Sequence, residues 1–359
     1  MTTELRQAIN KISVAGAVKE ADFKVNSGAN ENGEYTYISG KLVVKAGETR
    51  EITVKARANQ LTKKGEPNHM FETLSKFMDG TYPTMATPDV TEELATKVSI
   101  WGSKDFQPRL SDNIYCQDGQ LRENISFELG FGKLTIKDNL TPDQYKAEFE
   151  VEMFVNDVVQ EIKNDMPTGR TVIEGYVPVY GGSAMPIKVI AEDITMEDGT
   201  VIPFANDVLG GVYPEQTYVF WGDIRYEFIE TQISKGGTLG IAKIETKKES
   251  VREFVTTGGD IVTDPDKMYT REQIQAALVE RENRKQQEIE KDEKRSQNSS
   301  RGVGLGGGKP SPVARPTAPT MAKPTAPTAP TAPTAGRPVA PAKPTMPTAP
   351  KRPEGVPAF

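Results

Sequence analysis

Ile38-Ser-Gly-Lys-Leu-Val-Val-Lys-Ala-Gly-Glu-Thr-Arg-Glu-Ile-Thr-Val54 decides the fold, because it returns in altered form as Ile173-Glu-Gly-Tyr-Val-Pro-Val-Tyr-Gly-Gly-Ser-Ala-Met-Pro-Ile-Lys-Val189. Laid over each other without a gap, the two stretches share Ile38/Ile173, Gly40/Gly175, Val44/Val179, Gly47/Gly182, Ile52/Ile187 and Val54/Val189. Two more blocks follow in the same order. Gly80-Thr-Tyr-Pro83 is echoed by Gly211-Val-Tyr-Pro214, each after a short helix-like run, and Ile100-Trp101-Gly102 is echoed by Phe220-Trp221-Gly222. Ordered self-similarity of this kind marks a repeated structural unit. The reading is two related domains, 8–140 and 145–250.

Each copy reads as all-β. Apolar and polar residues alternate in Lys41 to Val44, Glu51 to Lys55 and Tyr218 to Trp221, and turn residues such as Gly47 and Gly182 divide the runs. Ile12 to Lys19 opens the first copy as a strand, and Phe149 to Val155 opens the second. Roughly five strands with a short helix between the third and fourth is the layout of an OB-fold barrel, so two such barrels in tandem are expected. A charged helix follows over 268–296, capped by Thr270 with Ile274, Ala277 and Leu278 on one side. Beyond Val279 it is almost entirely Glu, Lys, Arg and Gln, the composition of a solvated helix. The stretch 297–359 reads as a disordered tail, first Gly-rich and then Pro-rich, with fifteen of the 26 prolines between Pro310 and Pro357 in a Pro-Thr-Ala rhythm. It has too little apolar surface to offset its ordering entropy. Its glycines around Gly302 to Gly308 read as a hinge rather than a phosphate loop, since Pro310 stands where Ser or Thr is needed.

The 359-residue chain has one histidine, His69, and one cysteine, Cys116. A Ser-His-Asp triad would have to use His69, a Cys-His pair would need both singletons, and a His/Cys zinc site lacks its ligands. Acidic runs at Glu92-Glu93 and Asp193 to Asp198 have no partner nucleophile, and read as solvated loops rather than magnesium ligands. The expectation is a binder rather than an enzyme, with no catalytic residues, no metal and no cofactor. One cysteine permits no intrachain disulfide, which suits a reducing cytoplasm. No apolar run approaches the ~18 residues of a membrane span, and Met1 to Gln7 lacks the order of a signal peptide.

The formal charge of −6 is unevenly spread: 301–359 holds eight basic residues and one acid, +7, which leaves −13 on the rest. Against that acidic body, Lys41, Lys45, Arg50, Lys55, Arg57, Lys63 and Lys64 fall within 24 residues whose only acids are Glu48 and Glu51. Lys41, Lys45, Lys55 and Arg57 share odd parity within alternating strands, as do Tyr35 and Tyr37. Cations that track phosphates beside flat rings that accept bases are what sequence-independent binding of a single strand needs. In the second copy Tyr176 and Tyr180 stand where Lys41 and Lys45 stand in the first, with Arg170 and Lys188 as nearby cations. An ordinary solvated sheet face, and for the tyrosines an interface between the domains, are the alternative readings. Parity puts Tyr218 and Phe220 on one face and Val219 and Trp221 on the other, and does not say which face is outside.

The apolar-aromatic-Gly blocks at Trp101 and Trp221 resemble the third-strand ending of bacterial-type single-stranded-DNA-binding proteins, and Ile12 to Lys19 with its mid-strand Gly16 is similar to their first strand. The order Thr168-Gly-Arg170, Trp-Gly, Arg252 to Gly259, then Tyr269 to Arg284 resembles bacteriophage single-stranded-DNA-binding proteins with two OB-fold domains. The resemblance implies that Trp101 and Trp221 stack on bases, that the natural ligand is single-stranded DNA, and that the setting is phage replication or recombination in the host cytoplasm. It also implies replication or recombination proteins as partners of the C-terminal tail, and a homo-oligomer. No membrane is expected among the partners. The alternative reading is a structural or interaction protein of the virion, two β-domains on a Pro-rich spacer.

Overall fold

Period-two patterning builds the first barrel. In β2 (Gly33–Lys45) Ile38, Leu42 and Val44 are buried, and in β3 (Glu51–Asn59) Ile52, Val54, Ala56 and Ala58 turn inward while Lys55 and Arg57 turn out. A computed structural model describes residues 5–31, 33–102, 107–117, 119–235 and 243–301, with backbone alone at 30, 228–235, 243–249 and 297–301. The tail expected at 297–359, including its Pro-rich partner-binding stretch, lies outside the described residues from 302 onward.

β1 (Asn10–Asn30) pairs antiparallel with β2, and β2 with β3. Helix α1 (His69–Met78) follows, capped by the Asn68 side chain. Next come β4 (Lys97–Trp101), β5 (Arg109–Gln117), β6 (Gln120–Glu128) and β7 (Lys133–Ile136). β4 returns to β1, β7 pairs with β4, β5 pairs with β6, and β6 lies parallel to β3 at Val54 and Phe127. With β4/β5 as one interrupted strand and β6/β7 as another, the closed order is that of a five-stranded OB barrel.

The second barrel repeats it. β8 (Lys146–Lys163), β9 (Met166–Pro178) and β10 (Ala184–Ala191) form the meander. A small hairpin, β11 (Ile194–Thr195) with β12 (Val201–Ile202), precedes helix α2 (Phe204–Gly211). β13 (Thr217–Lys235) then pairs with β8 and with β14 (Lys243–Ile261), and β14 lies parallel to β10. The strands run to Ile261, past the boundary at 250 read from sequence. The chain is therefore all-β, two OB barrels followed by a helix. The turn after β2 closes from Ala46 to Arg50, and that after β9 from Val179 to Ser183, where Gly181 and Gly182 have positive φ. The two turns centre on Glu48 and Gly181, so the ungapped overlay slips there by an even step, which keeps every side chain on its own face.

The barrels join through their first strands. β1 pairs antiparallel with β8, with Ile12 opposite Phe149. Val14 faces Ile100 as Val151 faces Phe220, which makes Ile12 and Phe149 equivalent as well as partners. A local two-fold axis therefore passes through that pair.

Two matched glycines allow this crowding. A Cβ on Gly40 would lie 1.9 Å from the Asp22 carbonyl oxygen, and one on Gly175 would lie 2.4 Å from that of Phe154. Gly40→Ala is expected to cost about 1–3 kcal/mol by forcing β1 and β2 apart. A lower denaturation midpoint at unchanged slope is the expected observation, and an unchanged midpoint would refute it.

Helix α3 (Arg271–Arg301) departs from the solvated helix read from its composition. Thr270 and Gln273 form a reciprocal cap, and Ile274 and Ala277 are buried. Its middle carries Arg281, 7% exposed, which donates to both carboxylate oxygens of Asp112 at 2.8 and 2.9 Å and to Glu123 at 2.8 Å. The charge is there because β5 and β6 present acids to it, a pairing that a helical wheel does not contain.

Candidate nucleic-acid interface

The Trp-Gly blocks sit on β4 and β13, each the fourth strand of its barrel and each after the helix, rather than at the end of a third strand. Tyr218 and Phe220 turn into the core, 5% and 2% exposed, so Trp221 turns out, 38% exposed, matching Trp101 at 39%. The Trp101 indole donates to Thr135 Oγ1 at 3.3 Å, and the Lys133 ammonium sits 4.9 Å from the ring centroid. The Trp221 indole lies against Gly258, where a Cβ would come within 2.7 Å of its Nε1. A bulge in β14 lies opposite the Trp221–Gly222 step, where the register passes from Gly258 to Thr256. Because of the two-fold, both rings line one cleft of about 410 Å³, floored by Lys11, Ser13, Glu148 and Glu150 with Asp223 at its side. Its acids are matched: Lys11 with Glu150 at 2.9 Å, Lys146 with Glu148 at 2.6 Å, and Arg50 with Asp223 at 3.9 Å. The cleft is aromatic and close to neutral.

On the outer face of the first barrel Tyr35 and Tyr37 stand with ring centroids 5.8 Å apart. The Arg57 guanidinium lies 4.0 Å from the Tyr37 centroid and donates to the Tyr35 hydroxyl at 3.4 Å. Lys63 and Lys64 are exposed in the loop beyond β3. Among the described residues Lys55, Arg57, Lys63 and Lys64 have no carboxylate partner. The rest of the stripe is engaged, Lys41 with Glu20 at 3.2 Å and Lys45 with Glu92 at 2.5 Å. Arg50 reaches the second barrel instead, 3.9 Å from Asp223 and from Glu227. Exposed ion pairs are worth about 0–1 kcal/mol, so a phosphate can displace Glu20 from Lys41 at small cost.

The second barrel is less basic. Arg170 is held by Glu253 at 2.5 Å, Glu161 at 3.6 Å and Glu192 at 3.7 Å, and Lys188 pairs with Glu174 at 2.6 Å. Burial works against the Arg170 charge, but these three carboxylates outweigh it and hold its pKa up. Tyr180 is 81% exposed at the β9–β10 turn, whereas Tyr176 packs partly on the core. The acidic runs have structural partners: Asp193 accepts from the Ala205 amide at the start of α2, Asp198 accepts from the Thr200 amide, and Glu92 holds Lys45. Among the described residues no three His, Cys, Asp or Glu side chains converge as metal ligands, and no helix is long and apolar enough to cross a membrane.

Sequence reading missed Lys133 and Thr135, the neighbours of Trp101 on β7, and Gly258 under Trp221. Their alternation marks them only as outward-facing, and their pairing with the tryptophans comes from strand register.

Among solved structures, a deletion mutant of the single-stranded DNA binding protein from Thermus aquaticus is similar at a TM-score of 0.35 and 9% identity, over 72% of this chain and 97% of that one. A replication protein A heterotrimer bound to single-stranded DNA gives a TM-score of 0.16 and 10% identity over 70% of this chain, which spans half of that one. At such scores neither likeness bears on function. No curated protein matches the sequence. The YorF family model matches residues 8–295, both barrels and most of α3, and the chain belongs to the YorF family.

Proposed function

We propose that this chain binds single-stranded DNA with little sequence preference, and that it coats and protects the strand during phage DNA replication or recombination. It acts by binding and not by catalysis. The observation that carries the reading is the symmetric placement of Trp101 and Trp221. Indoles are large apolar groups, and two of them turned outward at equivalent points of two barrels serve as stacking platforms. The Tyr35–Tyr37–Arg57 ladder supports it, with Lys55, Lys63 and Lys64, which have no carboxylate partner among the described residues, beside it for phosphates. In the second barrel exposed Tyr180 supplies a ring, while Tyr176, Arg170 and Lys188 contact the strand after exchanging their present partners.

The test is a titration of the full chain with oligo-dT and with duplex of equal length, over a salt series. Binding of the single strand that weakens steeply with salt, and no comparable shift with duplex, is the expected result. Absence of any salt-sensitive shift, together with stable association with assembled phage particles, would replace this reading with that of a virion component.

A further inference from the structure

We infer that one single strand crosses from barrel to barrel through a groove built on Tyr226 and Arg252, with its phosphates on Lys55 and Arg252. The inference rests on the proposed function and adds a route to it. Two depressions of about 660 and 450 Å³ share Asn124, Ile125, Tyr226 and Arg252, and so form one groove. Lys55 and Tyr115 line its first-barrel end, and Tyr176 and Lys188 line its second-barrel end.

Charge decides what this groove accepts. The acids on its walls have cations: Glu20 has Lys41 at 3.2 Å, Glu51 has Lys19, Glu174 has Lys188 at 2.6 Å, and Glu227 shares Arg50, at 3.9 Å, with Asp223. Lys55 and Arg252 are exposed and have no carboxylate partner among the described residues. The local balance is therefore positive on a body whose overall charge is negative, which favours a polyanion along this line.

The floor is rigid and belongs to both barrels. Tyr226, from β13, meets Phe127 of β6 edge-on with centroids 4.9 Å apart, and Phe254 of β14 at 6.2 Å. An isolated bridge between Arg50 and Glu227 ties the same strand to the first barrel. The Arg252 guanidinium stands 5.7 Å from the Tyr226 centroid, a cation beside a ring that is already held in place. Burial pushes the Tyr226 phenol above its ordinary pKa, with Arg252 opposing, so the hydroxyl stays a neutral donor near pH 7. Beside it, the Asn113 amide donates to the Asn124 carbonyl at 2.9 Å, leaving one amide carbonyl and one amino group to face a base edge. A strand on this floor touches both barrels at once, which a strand confined to either outer face does not.

The experiment compares the full chain with its R252E variant by fluorescence anisotropy, using oligo-dT of about 8 and about 30 nucleotides, chosen around one and two OB site sizes. The Arg252 side chain is exposed, and a thermal melt checks the fold. The expected result is a loss of about tenfold or more on the long oligomer, less than about twofold on the short one, and a shallower salt slope on the long one. Equal losses on both lengths would make the groove a local contact of one barrel and overturn the crossing. Unchanged binding of the long oligomer by the variant would remove the groove from the path and leave the proposed function standing. If the unaltered chain binds neither oligomer, the proposed function itself fails.

Discussion

Arg281→Ala is expected to lower the free energy of unfolding by about 3–5 kcal/mol, near the lower figure. The substitution strands the Asp112 carboxylate, whose side chain is 4% exposed, with Arg284 at 3.7 Å as its remaining cation. It also removes one of the two cations on Glu123, where Lys285 at 3.0 Å stays. Removing one partner of a buried pair leaves an uncompensated charge, whereas replacing both by apolar groups is often close to neutral. Arg281→Met with Asp112→Leu should therefore recover much of the loss in a urea melt, and recovery separates the charge effect from a general loss of packing. A loss below about 1 kcal/mol for Arg281→Ala would mean that water already reaches the pair. The same cluster sets a pH dependence. Desolvation raises the Glu123 carboxyl, but its bonds to Lys285 and Arg281 outweigh that and hold it below the ordinary glutamate range. A lowered folded-state value contributes stability that is full above the unfolded value and is lost as the pH falls through the folded one. Glu123→Gln should flatten that acid limb of the stability curve.

Trp101→Ala combined with Trp221→Ala is expected to weaken binding to oligo-dT by roughly 2–6 kcal/mol, about thirtyfold at least, at ~1–3 kcal/mol per stacked base. The two-fold relation predicts similar losses for the single variants, since both rings line one cleft. Trp→Phe at both positions keeps a stacking face and should restore most of the affinity. The fold should survive, because both indoles are more than a third exposed and neither belongs to the buried core. Unchanged affinity in the double alanine variant, on a chain that otherwise binds, would leave the proposal without its central observation.

Much of this architecture is legible along the chain. Alternation is a local property, so the inward set Ile38, Leu42, Val44, Ile52 and Val54 and the outward set Lys41, Lys45, Lys55 and Arg57 follow from parity alone. A repeated pattern must bury the same faces twice, so two similar barrels follow as well. The site is less legible, because charge is neutralised through space. Lys45 meets Glu92, Arg50 meets Asp223, and Arg170 meets Glu253, partners that no reading of a single strand brings together.

The sequence by itself determined two β-barrels of OB type, the faces of their strands and the absence of the usual His- and Cys-dependent chemistries, since each depends on local period or on residue inventory. Only the tertiary structure decided that Trp221 faces outward, that it shares a cleft with Trp101, that α3 buries Arg281, and that Lys55 and Arg252 are without carboxylate partners among the described residues. Those outcomes depend on strand register and on the β1–β8 junction, which set distances between residues far apart in the chain.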